Sequence, residues 1–436
     1  MNPDDLAKAA DSYVLHSLKG KRQVIFARAS GSRMWDVNGK EYWDALSGSN
    51  GPAMVGHAHP LVTERVSKQL AELPSNFLNL DSVSLIEFAQ RMAELTPDGL
   101  TKTLICPGGG EAVEAAIKLA IYATRRPEVI SLHGAYHGLS LGLMGLGGIP
   151  TLREWFPGGI RWPGFLQTPN ADAYRPQLTT DPSDWSSSIR ALEATLDRGT
   201  SQQVAAVIIE LVQGPGGHVV FADGFPTAVQ RVCRERGILL IVDEVQTGLG
   251  RCGVRWACDL YGIEPDIIVV GKAFGGGFPF GAITARADLV TDALESSPWN
   301  VQTFMNQPLQ AAAGLAVTEI VEGQHLAQRA FDLGVRARAR FQEMSERYKV
   351  IGDVRGPGLF VAVDLVEDRV TRAPATAACQ GAVEFGLEHG LITWFGGKGN
   401  VLKFKPPLTV SDEDFERMLD LSEKVVAYVD ERVANQ

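Results

Sequence analysis

Cysteine is scarce: five occur in 436 residues, Cys106, Cys233, Cys252, Cys258 and Cys379, an odd and scattered set. No C-x-x-C pair is present, so they build neither a disulfide framework nor a zinc site. The reduced thiols of a cytoplasmic protein are the expectation. Positive charge is also short. With 41 Lys and Arg against 51 Asp and Glu, the net charge of −10 excludes a general nucleic-acid or acidic-membrane surface, which needs a cationic excess. No apolar segment approaches the ~20 residues of a spanning helix. The start, Met1-Asn2-Pro3-Asp4-Asp5-Leu6, lacks the basic region and apolar core of a signal peptide. In Gly56-His57-Ala58-His59-Pro60 no carboxylate or cysteine cluster accompanies the two histidines, so they read as structural and no metal is expected.

What is present is an ordinary globular composition, 45% hydrophobic and 21% charged with 46 glycines, on a chain long enough for two or three domains. Short apolar runs bounded by turn signals at 103–106, 129–132, 204–209, 238–242 and 267–270 predict buried strands of a mostly parallel sheet. They alternate with helical periodicity in an α/β domain. Ser32 to Asp44 reads as two short strands about the Asn38-Gly39 turn. Residues 145–200, including Trp155-Phe156-Pro157-Gly158-Gly159, read as an irregular excursion and then a helix. A long helical stretch starts at Leu309, and runs at 350–365 and 391–404 with helices at 380–388 and 412–433 make a smaller α+β unit. The expected division is 1–55, contributing to the small domain; 56–315, the large domain; and 316–436, the C-terminal small domain.

The chemistry lies at strand ends, where ligands bind in open α/β sheets. The run at 238–242 opens into Asp243-Glu244-Val245-Gln246-Thr247-Gly248, and the run at 267–270 into Gly271-Lys272-Ala273-Phe274-Gly275-Gly276-Gly277. A lysine can form an imine with a pyridine cofactor while a carboxylate keeps the ring nitrogen protonated. Pro107-Gly108-Gly109-Gly110-Glu111, between a strand and a helix start, presents backbone N–H groups suited to a phosphate. Tyr136 ends one strand, where an aromatic ring can stack on a planar cofactor, and Glu210 ends another, where a carboxylate either meets substrate or anchors a loop.

These residues together resemble the class III aminotransferases, fold-type-I pyridoxal phosphate (PLP) enzymes, over nearly the whole chain. The most specific part is Asp243-Glu244-Val245-Gln246-Thr247-Gly248 with Gly250-Arg251, followed by Lys272. The resemblance implies a large domain with a mostly parallel central sheet, a smaller α+β domain, and roles residue by residue. Lys272 would carry the cofactor as an imine and shuttle protons; Asp243 would pair with the pyridinium nitrogen; Gln246 would reach the phenolic oxygen. Gly109 and Gly110 would bind the phosphate, and Tyr136 would stack on the ring. Thr303 would reach the phosphate of a neighbouring subunit, which implies a homodimer with shared active sites.

The chain departs from the family pattern mainly on the substrate side. Pro107 and Gly108 offer no hydroxyl to the phosphate, and Glu210-Leu211 replaces the usual Glu-Pro. Lys403, in Val401-Leu402-Lys403-Phe404-Lys405-Pro406-Pro407, stands where enzymes using α-amino acids have arginine; a lysine is a flexible point charge instead of a planar bidentate clamp. Gly48-Ser49-Asn50-Gly51-Pro52 is similar to the glutamate-semialdehyde aminomutase branch, with Asn50 in place of a tryptophan. The dialkylglycine decarboxylase and aminoglycoside aminotransferase branches share the pattern. The expected activity is transfer of an amino group from a primary amine, an aminosugar among the candidates through Asn50, Glu210 and Lys403, to an oxo acceptor through pyridoxamine phosphate. The alternative is an aminomutase, epimerase, decarboxylase or lyase on the same scaffold, because cofactor residues do not choose which substrate bond breaks.

Overall fold

A computed structural model describes residues 2–17, 24–77, 79–154, 156 and 162–435. Of the Trp-Phe-Pro-Gly-Gly stretch at 155–159, only Phe156 lies among the described residues.

A seven-stranded sheet organises the molecule. In chain order its strands are β1 (Leu100–Cys106), β2 (Glu128–Leu132), β3 (Phe165–Thr168), β4 (Val204–Ile209), β5 (Leu239–Asp243), β6 (Ile267–Gly271) and β7 (Gly281–Arg286). The spatial order is β1-β7-β6-β5-β4-β2-β3. All pairings are parallel except those of β7, which runs antiparallel to β6 and β1. Alternation explains why β4, β5 and β6 read as unbroken apolar runs. Ile208, Ile241 and Val269 pack on one face with Ala112, Val113 and Ala116 of the helix Gly109–Thr124. Val207, Leu240, Val242, Ile268 and Val270 join the opposite core with Val229 of Phe225–Arg236 and Val317 of Pro308–Gly323. A sheet covered on both faces has no polar side to show.

Two smaller sheets adjoin. Phe26–Ser30, Arg33–Asp36 and Glu41–Asp44 form an antiparallel meander around the expected Asn38-Gly39 turn, and the C-terminal strand Leu391–Ile392 adds to its edge in parallel. Ile351–Arg355, Val361–Asp368, Val401–Phe404 and Phe395–Gly396 make an antiparallel sheet. The helical stretch from Leu309 is two helices, Pro308–Gly323 and Leu326–Arg347. The break falls where Gly323 ends the first and His325 takes a left-handed φ of 50°. Among the described residues no helix is long and apolar enough to cross a membrane, and no cluster of three or more His, Cys, Asp or Glu is placed to hold a metal. His57 is held by the end of the strand Glu41–Asp44: its Nε2 meets the fully buried Asp44 carboxylate at 2.7 Å.

Candidate active site

The parallel strands open on one edge, and their ends enclose a cavity of about 540 Å³ lined by Gly109, Gly110, Tyr136, Glu210, Asp243, Gln246 and Lys272. Seven of the ten residues expected from the sequence therefore share one space. Lys403 and Asn50 meet beside it, Nζ to Oδ1 at 3.4 Å, across 353 positions of sequence. Thr303 is not brought to this cavity; it is exposed, on the loop that precedes Pro308.

Asp243 ends β5 and is 4% exposed. Its Oδ1 accepts from Val245 N at 3.0 Å, and its Oδ2 accepts from His137 Nδ1 at 2.8 Å, so the ring holds the acid from behind. His137 is buried, and its Nε2 has no hydrogen-bond partner. Lys272 follows β6 at a φ of +40°, a left-handed backbone that is strained for any residue with a Cβ. Burial lowers its pKa, against the opposing pull of Asp243 and Glu210, which favours the neutral nucleophilic amine. Glu210 accepts from Tyr136 N at 2.8 Å and Gly214 N at 3.1 Å, tying two loops together while it faces the cavity. Burial and Asp243 push its pKa up to about 7, although His137 and both amides act the other way. Tyr136 is also pushed up, by burial first and then by the two carboxylates.

The helix Gly109–Thr124 starts at the glycines themselves, three residues earlier than periodicity suggests, because Ala112 N reaches back to Gly108 O at 3.0 Å. Glycine is needed here for close approach. A Cβ on Gly109 would lie 3.3 Å from Val245, and one on Gly281 of β7 would lie 2.1 Å from Gly108 O.

Lys405 and His137 are site residues that the sequence reading missed. Lys405 is 1% exposed, and its Nζ donates to Gln246 Oε1 at 2.8 Å. A lysine two places after Lys403 in an extended run points to the same side, and that spacing was the available signal. Burial and then Lys272 lower the Lys403 pKa to about 8, with Glu210 opposing.

The arrangement fits a phosphorylated pyridine aldehyde. Backbone N–H groups at a helix start face one end of the cavity, a buried carboxylate and an amine of lowered pKa stand on its wall, and a tyrosine lines it. Comparison with known proteins agrees. Residues 17–426 match the aminotransferase class-III family, and the chain belongs to that family of PLP-dependent enzymes. The 5-aminovalerate aminotransferase of Pseudomonas aeruginosa is 36% identical over 421 residues, covering 95% of this chain and 96% of its own. The leucine/methionine racemase of Thermococcus litoralis is 33% identical, covering 94% and 91%. A solved (S)-enantioselective omega-transaminase from Thermomicrobium roseum superposes with a TM-score of 0.89 at 30% identity, covering 99% of each chain. The chain is thus a fold-type-I PLP-dependent aminotransferase.

Proposed function

We propose that this aminotransferase takes its amino group from a primary amine at the far end of a carboxylate-bearing donor and passes it to an oxo acid, with Lys403 receiving the carboxylate in each half-reaction. The carrying observation is the Lys403–Asn50 pair beside the cavity that holds Lys272. A lone ammonium beside an amide binds one carboxylate without the planar demand of an arginine, so chain length can vary. The 5-aminovalerate enzyme, named for such a donor, supports the reading. An aminosugar is the second reading, favoured by the polarity that Asn50 and Glu210 offer to hydroxyl groups.

When bound, the cofactor supplies an electron sink and carries the amino group between half-reactions. Asp243 keeps a proton at the ring nitrogen, and His137 fixes the carboxylate that does so. Lys272 moves the proton at the substrate carbon, its reach set by the strained backbone at the end of β6. Residues 109 and 110, which line the cavity with Tyr136 and Gln246, would hold the phosphate through their amides, Tyr136 would cover the ring, and Gln246 would meet the phenolic oxygen. Thr303 serves the site of a second copy in a homodimer of the cytoplasm. Its exposure, away from its own chain's cavity, supports that role.

The test mixes cofactor-loaded enzyme with 5-aminovalerate, 4-aminobutyrate, alanine, an amine without a carboxylate, and glucosamine. Pyridoxamine phosphate and the matching aldehyde are expected with the terminal-amine acids. Turnover of glucosamine alone selects the second reading. Inverted substrate, carbon dioxide or ammonia without pyridoxamine phosphate would instead assign an epimerase, decarboxylase or lyase and end the proposal.

A further inference from the structure

Gln246 can present either its oxygen or its nitrogen to the cavity, because the two flips of a carboxamide have nearly the same shape. The surroundings decide between them. On one side Gly214 presses so close that a Cβ there would lie 2.8 Å from the carboxamide. On the other, Lys405 Nζ stands 2.8 Å from Oε1. Charged or neutral, the Lys405 amine has an N–H to donate, and this contact gives the oxygen to Lys405 and leaves the amide nitrogen for the cavity.

Lys405 is itself immobilised. Its backbone N donates to Ala45 O at 2.7 Å, and its carbonyl accepts from Ser47 Oγ at 2.6 Å. Arg251 braces the same turn, donating to Ser47 Oγ at 2.9 Å and to Pro406 O at 2.7 Å. The ammonium lies 4.8 Å from the centre of the Phe360 ring. Burial lowers its pKa well below the ordinary lysine range, and Lys403, Arg251 and Lys272 push the same way; Cys252 is the titratable group that opposes them.

We propose that Lys405 is a positioning residue, which locks the Gln246 carboxamide in the flip that turns its N–H donors to the cofactor's phenolic oxygen. The proposal rests on the reading of Gln246 given above. It assigns to this chain a third active-site lysine, one that touches neither cofactor nor substrate and acts through the amide.

Lys405→Met keeps side-chain length and removes the donor. In the holoenzyme, the pH midpoint of the cofactor's visible absorption band and the equilibrium affinity for PLP are measured for wild type, Lys405→Met, Gln246→Ala and the double variant. Losing an oriented donor at the phenolic oxygen strengthens the hold on the proton shared with Lys272 Nζ. The midpoint therefore rises by about one unit and affinity falls about tenfold in Lys405→Met. Gln246→Ala does the same, and adding Lys405→Met to it changes nothing further. If Gln246→Ala leaves both quantities unchanged, the reading of Gln246 is wrong. If Gln246→Ala moves them and Lys405→Met does not, or if the Lys405→Met effect persists in the double variant, the positioning role is wrong. Should Lys405→Met not fold, a crystal structure of the wild-type holoenzyme decides: the Gln246 amide nitrogen at the phenolic oxygen with Lys405 on Oε1 is expected, and Lys405 on another acceptor overturns the proposal.

Discussion

Lys403 is charged only over part of the pH range in which aminotransferases are assayed. With its pKa lowered to about 8, chiefly by burial, the ammonium is present below that pH and gives way to the neutral amine above it. If it binds the donor carboxylate, kcat/KM for 5-aminovalerate falls about tenfold per pH unit above about 8, since kcat/KM reports free-enzyme ionisations. Lys403→Arg keeps its charge at every accessible pH, so the alkaline limb disappears. An identical limb in Lys403→Arg would remove Lys403 from carboxylate binding. This residue was legible in the sequence because it occupies a position where a different cation is usual. Asp243 and Lys272 were legible because strand ends announce themselves. His137 and Lys405 were not, since what makes each of them part of the site is a contact made 106 and 159 positions away.

The elements divide in the same way. Strands β4, β5 and β6 could be read almost to the residue because burial on both faces leaves only apolar side chains. The start of Gly109–Thr124 could not, because glycine has poor helix propensity and the turn is held by tertiary packing instead. That packing is backbone against backbone. Gly281 of β7 lies against the 108–110 loop, where an added Cβ would come within 2.1 Å of Gly108 O and 3.0 Å of Gly109 N. Gly281→Ala should cost about 1–3 kcal/mol, the range for overpacking. Because the displaced atoms are the proposed phosphate donors, PLP affinity should also fall roughly tenfold. Gly323→Ala is the control, with open space around the new methyl and no left-handed backbone. Thermal melts with and without added PLP distinguish the two effects. A Gly281→Ala protein that loses stability yet binds PLP as tightly as wild type would mean that the loop does not hold the phosphate.

At the scale of the whole molecule, two segments carry runs of exposed apolar side chains, Leu70, Leu73, Phe77, Leu80, Val83 and Ile86 in one and Val301 and Phe304 in the other. Leu80 and Val301 line the same surface cavity, so the segments adjoin. Thr303 lies within the second, and Asn306 anchors that loop to β1 through its N–H to Ile105 O at 3.0 Å and through Ile105 N to its Oδ1 at 2.9 Å. An apolar surface flanking a proposed phosphate ligand is what the proposed homodimer needs. The decisive case is a mixed dimer of one Lys272→Ala copy and one Thr303→Ala copy. Alone, the first parent has no turnover, and the second binds PLP about tenfold more weakly, the loss of one phosphate hydrogen bond. If Thr303 crosses to the partner, one site of the mixed dimer carries both defects and the other carries neither. Titration of the mixture at limiting PLP should then recover one site of wild-type affinity and turnover per dimer. If Thr303 acts within its own chain, every site keeps a defect, and the mixture titrates no better than the Thr303→Ala parent.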